Sequence, residues 1–385
     1  MSIRGAAREL VYDHAYLSRV LAGKQLPSPQ LAKALDRLLG AGGELVSLAA
    51  KMAATESRPG CALAAPASVA DFLPPENPLE PLAVRTSRRV GAETVADLSQ
   101  RVHALRLADD VVYGRDLIGP ALRELKAAVR LYRESTHAES VGRELLRTIG
   151  ELAQIAGWVA SDAGLYDEAE RIYRLGLSAV QTAGDRTLAG QLLGSLAYQV
   201  ANVGDARDAV GMAVAAASTA GPDAPPRARA LFLDRVAWAH AKAGDTQPAM
   251  RALADAHEAL TSERGADEPT WTYWVSREEL EVMDARVYTE LRRPLRAVPL
   301  LRRVLGQYDA THTRELALYL SWLAMALADA NEPEEAAATT ERVITLSSSG
   351  ASERTTVRSA ALLKRLEDFQ DVPEVASLLA EHRAA

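Results

Sequence analysis

From about Thr94 to the C-terminus, apolar residues recur at intervals of three and four, the spacing that puts them on one face of an α-helix. Short clusters of Gly, Asp, Asn and Pro interrupt the pattern, which therefore predicts a succession of helices joined by tight turns. Residues 1–51 predict a run of shorter helices. Between the two zones, residues 52–92 hold six of the eighteen prolines together with Gly and Ser, the composition of a linker. The expected fold class is all-α.

The long helical zone repeats. Turn residues Gly164, Gly204, Gly244, Arg292, Asn331 and Gln370 are spaced 40, 40, 48, 39 and 39 apart. Seven residues ahead of them stand Gly157, Ala197, Ala237, Ala285 and Ala324, with Leu363 breaking the rule; five behind stand Ala169, Ala209, Ala249, Ala297, Ala336 and Val375. Small side chains at matching points let two helices approach closely, and Gly or Asn supplies a left-handed turn between them. The unit is a helical hairpin that must stack on its neighbours to bury its apolar face. Residues 94–135 read as a further, degenerate hairpin turning near Gly114.

The stretch GWVASDAGLYDEAERIYRLGL (157–177) places Gly157, Gly164, Tyr166, Ala169 and Tyr173 at the consensus points of the tetratricopeptide repeat. On these residues 93–385 resembles that family, which implies an α-solenoid with a concave groove lined by the first helix of each pair. The period near 40 exceeds the family's ~34 and predicts longer helices.

Directly after the small packing residue come Trp158, Tyr198 and Trp238, each 40 from the next, then Arg286 and Met325. In the resembling family this position faces the groove, so Trp158, Tyr198, Trp238 and Arg286 are candidates to hold a peptide, a small ligand or a protein. The alternative is that longer helices shift the register and bury the rings between repeats. A second cluster, PTWTYW, sets Trp271 and Trp274 three apart, on one face of a helix opening the fourth repeat. Burial against the preceding repeat is one reading of it, and closure of one end of the groove is the other.

Charge separates the two zones. Residues 1–51 carry a net charge of +3 within a chain of net charge −7, leaving −10 on the remaining 334 residues. A small basic head on an acidic body directs a nucleic-acid hypothesis to the head alone. There, Ser2, Ala6, Ala7, Val11, Tyr12, Asp13, Leu17, Ser18, Val20 and Gly23 fall on the pattern of the Xre-type helix-turn-helix family, the repressors related to lambda Cro. The resemblance implies that Ser2 caps the family's second helix, Asp13 its recognition helix and Ser28, ahead of Pro29, its fourth. It also implies a double-stranded DNA partner. His14, Ala15 and Tyr16 would enter the groove, Arg19 would meet a base or phosphate, and Lys24 and Gln25 the backbone. Ile3 and Leu21 depart from the pattern, where the family commonly has Gln and Glu. The resemblance starts at the family's second helix. A start assigned too far downstream, a vestigial head and a head completed by a partner each account for that.

Composition excludes several classes. The seven histidines show no zinc-ligand spacing, Cys61 is the single cysteine, and no nucleophile elbow or phosphate-loop lysine motif occurs. Neither a metal, a cofactor nor an enzymatic activity is expected. The longest apolar run, Ala209–Ala217, is about half a membrane span, and the first residues lack a signal peptide's apolar core, so a cytoplasmic protein is expected. A basic helix-turn-helix ahead of a repeat body looks like a bacterial transcriptional regulator, in wording similar to those of actinobacteria, acting as a homodimer. The alternative is a repeat scaffold with a head that does not bind DNA.

Overall fold

The computed structural model describes residues 10, 20, 29–39, 41, 43, 45–46, 68–74, 78–80, 89–112, 114–262, 267–306, 313–348 and 353–383. Its helices are α1 (Pro29–Leu39), α2 (Ala92–Asp109), α3 (Gly114–Glu134), α4 (Glu139–Asp162), α5 (Tyr166–Ala183), α6 (Arg186–Val203), α7 (Ala206–Ala220), α8 (Pro226–Lys242), α9 (Thr246–Thr261), α10 (Arg277–Glu290), α11 (Pro294–Leu305), α12 (Thr313–Asp329), α13 (Pro333–Ser348), α14 (Glu353–Leu366) and α15 (Pro373–Arg383). Among the described residues there is no β-strand, only an isolated bridge between Arg89 and Thr136. The fold is all-α. No helix of the described residues is long and apolar enough to cross a membrane.

The chain forms two compact units, Met1–Pro66 and Ala67–Ala385, dividing inside the segment expected as linker. In the first unit, Leu31 and Leu35 of α1 are buried with Leu10, Val20, Leu38 and Leu45 packed around them. Asp36 organises the chain just beyond α1. Its carboxylate accepts the Gly43 N–H at 2.7 Å and the Leu45 N–H at 2.9 Å, satisfying donors where the chain turns helical again at Leu45–Val46. Gly43, at φ +99°, makes that turn possible. The candidate DNA-contacting residues His14, Ala15, Tyr16, Arg19, Lys24 and Gln25, and the expected caps Ser2, Asp13 and Ser28, lie outside the described residues.

The second unit is a stack of helical hairpins, α2/α3 and then α4/α5 through α14/α15. Local chemistry sets the boundaries. Gly184, at φ +75°, ends α5, and the next residue, Asp185, accepts the Leu188 N–H at 2.9 Å to start α6. Asp205 caps α7 and Ser276 caps α10 in the same way. Pro226, Pro294, Pro333 and Pro373 each occupy the first position of a helix, where the absent N–H is not missed.

The repeated small residues lie at the hairpin contacts. Ala197, Ala237, Ala285 and Ala324 are buried, as are Ala169, Ala209, Ala249, Ala297, Ala336 and Val375. At Gly157 a Cβ would stand 2.5 Å from the buried Tyr173 ring, so this ring requires glycine opposite it. The turns are less uniform than their spacing suggests. Gly164, Gly244, Arg292 and Asn331 adopt positive φ. Gly204 is extended and Gln370 is right-handed, so three of the four Gly and Asn residues expected to supply a left-handed turn do so, and Arg292 adopts one as well. Gly204 comes after a helix whose last N–H bond already closes on Val200, and Gln370 continues a 3-10 turn, so neither needs the left-handed region.

Ahead of the stack, several stretches of the expected linker lie along the second unit. Arg174 donates to the Phe72 carbonyl at 3.0 Å, Arg133 to the Glu80 carbonyl at 3.1 Å, and the Val90 N–H to the Thr136 carbonyl at 3.0 Å. Ion pairs also tie successive repeats together. Asp329, at the end of α12, is held by Arg292 of the preceding repeat and Arg365 of the next one, each at 3.0 Å.

Candidate functional site

The first helices of successive hairpins, α4, α6, α8, α10 and α12, stand side by side and present one face to a cavity of about 380 Å³. Along that face runs a ladder of rings and guanidinium groups. Trp158 stacks on Tyr198 with centroids 5.7 Å apart, Tyr198 lies 6.3 Å from Trp238, and Trp238 meets Trp322 edge to face at 5.4 Å. Arginines fill the spaces between the rings. The Arg235 guanidinium lies 4.2 Å from the Tyr198 centroid, Arg286 lies 4.9 Å from Trp238 and 5.4 Å from Trp322, and Arg358 lies 3.7 Å from Trp322. Arg286 also donates a hydrogen bond to the Tyr198 hydroxyl. These are cation–π contacts in a largely desolvated setting, where each contributes about 1–2 kcal/mol.

Of the four groove candidates, Trp158, Tyr198 and Arg286 line the cavity. Trp238 does not. It is buried beneath, enclosed by Tyr198, Arg286 and Trp322. The register thus supplies both cavity wall and packing: Trp158 and Tyr198 stack and still meet the open side, whereas Trp238 is covered.

Trp271, Tyr273 and Trp274 close the cavity from above. They sit in a 3-10 turn, Thr270–Thr272, and the turn after it; α10 begins only at Arg277. The expected helix opening on this cluster does not form, because Pro269 ends the extended approach and Ser276 caps the true start. Trp271 is buried against Phe232, 6.3 Å between centroids. The Tyr273 hydroxyl donates to Asp110 at the end of α2 at 2.8 Å, fastening this segment across the cavity mouth. Burial and this bonded carboxylate push the Tyr273 phenol up from its ordinary range.

The remaining lining is polar. Arg106 of α2 is buried and bonds Glu151 at 3.0 Å. Arg235 lies 3.7 Å from the carboxylate of Asp234, which burial pushes up against the opposing pull of Arg235 and Arg286. Gln154 and Ser195 approach each other at 3.4 Å, and Gln191 is buried beside them. Glu279 of α10 faces Tyr319 of α12, whose hydroxyl lies 2.9 Å from each carboxylate oxygen. Burial, with Glu315 nearby adding repulsion, pushes the Glu279 carboxyl up to about 7 against the Tyr319 hydrogen bond and the Arg286 charge.

These polar residues were not among the sequence candidates, yet the same repeat register carries four of them, Gln191, Ser195, Arg235 and Glu279. One helical turn before Trp158, Tyr198, Trp238 and Arg286 stand Ile155, Ser195, Arg235 and Met283, all on the cavity. A further turn back, Gln191, Glu279 and Leu318 occupy equivalent positions and also line it. Most of the wall thus comes from three successive turns of each first helix, of which the sequence candidates occupy only the last. Arg106 and the 271–274 cluster come from outside that register. Among the described residues no cluster of three His, Cys, Asp or Glu side chains is arranged to hold a metal ion.

Residues 1–49 match the family of helix-turn-helix domains, so the chain carries a helix-turn-helix domain at its N-terminus. A comparison with curated proteins found no match.

Proposed function

We propose that this protein is a DNA-binding transcriptional regulator whose repeat body binds a ligand and through it adjusts DNA binding. The helix-turn-helix match over residues 1–49 carries the reading, supported by the net charge of +3 on residues 1–51. The finer resemblance to Xre-type heads assigns His14, Ala15 and Tyr16 to the major groove, Arg19 to a base or phosphate, and Lys24 and Gln25 to the backbone. The tetratricopeptide-like body supplies the sensing part, with its cavity walled by Trp158, Tyr198 and Arg286. Two heads on a homodimer would read paired half-sites, and a ligand shifts the population of head spacings that fit them. The body performs no catalysis in this reading.

The test is selection of duplexes by the full-length protein from a random library. Fluorescence anisotropy on the enriched sequence then proceeds across a salt series and beside Arg19→Ala. Enrichment of a motif, with affinity that falls steeply with salt and is lost in the variant, supports the reading. A folded protein that enriches nothing refutes it in favour of a repeat scaffold.

A further inference from the structure

We propose that the cavity between α4, α6, α8, α10, α12 and the 271–274 segment is a binding site for a small organic acid, a carboxylate carried on an aromatic body. The proposal rests on the reading of the body as the ligand-binding part and names its ligand class.

The donors point to the acid. Arg106 of α2 is 5% exposed, lines the cavity and bonds Glu151 through Nη1 alone. Its Nε and Nη2 are buried and meet no partner among the described residues. These two nitrogens form one edge of the guanidinium, with two N–H bonds side by side, the fork that the two oxygens of a carboxylate match. Buried donors are normally bonded, and a charged one left without an acceptor is unfavourable. Arg286 of α10 repeats the situation. Its Nη2 donates to the neutral Tyr198 hydroxyl, its Nε is buried without a partner, and it makes no ion pair among the described residues. Arg358, against the same Trp322 ring as Arg286, bonds only the Ser321 hydroxyl and carbonyl among the described residues. Two desolvated positive charges thus share the Trp322 ring with no carboxylate of their own.

The acids of the lining are spoken for. Asp110 accepts the Tyr273 hydroxyl, and Asp109 and Glu315 have partners of their own. Glu279, half-buried, takes the Tyr319 hydroxyl and lies in the field of Arg286. Gln191, 6% exposed and also on the cavity, makes no side-chain hydrogen bond to a described residue, so its amide adds a further donor. The unpartnered guanidinium nitrogens lie beneath the cavity surface. A ligand oxygen reaches them through a rotamer shift of the side chains around them, a change common on binding.

The rings specify the rest of the ligand. Trp158, Tyr198, Trp271, Tyr273, Trp274 and Tyr319 all line the cavity and offer faces and edges to a flat aromatic body. A volume of about 380 Å³ lies at the small end of ligand pockets and suits a compact molecule rather than an extended peptide.

The experiment is calorimetry and thermal-shift titration of the full-length protein with three probes of matched body: 3-phenylpropionate, the neutral 3-phenylpropanamide and the cation 3-phenylpropylamine. Saturable binding of the acid is expected, about tenfold or more tighter than the amide, with no binding of the amine. Arg106→Lys keeps the charge and can still pair with Glu151 but has no two-donor edge. It should weaken the acid about tenfold and leave the amide unchanged. Glu279→Gln is the second variant should the first fail to fold. It removes a negative charge from the lining and should tighten the acid severalfold at about pH 8, again leaving the amide unchanged. Preference for the amine or the amide, equal binding of all three probes, or no acid binding at millimolar concentration each overturns the proposal. So does an Arg106→Lys protein that binds the acid as tightly as the native one, or a Glu279→Gln protein that binds it no more tightly. The outcome is separable from the regulator reading. An acid that binds without altering DNA affinity removes the sensing function and leaves the site; a protein that binds DNA but no acid removes the site and leaves the regulator.

Discussion

Glu279→Gln tests the electrostatics of the cavity without any ligand. A carboxyl pushed from an ordinary 4.5 to about 7 stays protonated in the folded protein over a pH range where the unfolded chain has released the proton. The sign comes from proton linkage. Below about 4.5 both states are protonated and burial carries no ionic penalty; across the window the penalty grows; above about 7 it is complete. At about 1.4 kcal/mol per unit, the full penalty is about 3 kcal/mol. Glutamine has the same shape, keeps an oxygen to accept the Tyr319 hydroxyl, and cannot ionise. The variant should therefore gain stability relative to the native protein as pH rises, by about 2–3 kcal/mol between about pH 5 and about pH 8. The assay is urea unfolding of both proteins across that range, monitored by tryptophan fluorescence, because Trp158, Trp271 and Trp274 line the same cavity. The difference between the proteins is the quantity to compare, since other buried acids contribute equally to both. A difference that is constant with pH, or a variant less stable at the alkaline end, refutes the assignment of a half-buried carboxyl held without an ion pair.

Other substitutions probe the scaffold. Gly157→Ala sets a methyl group 2.5 Å from the buried Tyr173 ring and should destabilise the body by about 1–3 kcal/mol in urea unfolding. Gly211→Ala, in mid-helix with nothing within 4 Å of the new methyl, should stabilise it by up to about 1 kcal/mol in the same assay. Removing the cap with Asp185→Ala leaves the Leu188 N–H without its acceptor and should lower stability by about 1 kcal/mol. Arg286→Lys exchanges a flat guanidinium, lying between Trp238 and Trp322, for a point charge that cannot cover both rings. The melting temperature should fall by several degrees, and an unchanged one would mean that the stack contributes nothing to stability.

Much of this protein is legible along the chain because its determinants are local and repeated. The 3.6-residue periodicity, the Asp and Ser caps, the prolines at helix starts and the small residues recurring at about 40-residue spacing are each set within one hairpin, and they settle an all-α stack. The helix-turn-helix head is legible for the same reason, as a pattern within residues 1–49. The register of Trp158, Tyr198 and Trp238 points to the correct face of the correct helices. Which of those rings meets open space depends on what lies over them. Arg286 and Trp322 arrive from repeats 48 and 84 residues beyond Trp238 and cover it, whereas nothing covers Trp158 and Tyr198 so completely. The cavity itself is made at long range. The Tyr273–Asp110 hydrogen bond joins residues 163 apart and brings three aromatic side chains over the groove. The state of Glu279 is likewise a tertiary property. A Glu-Glu pair at a helix start reads as a solvated face, and here Glu278 is exposed while its neighbour turns inward under α12, where the loss of water raises its carboxyl to about 7. Periodicity decides which residues share a face, because that depends only on helical geometry. The packing of distant repeats decides which of them lose water, and the chemistry of the site is set by that desolvation.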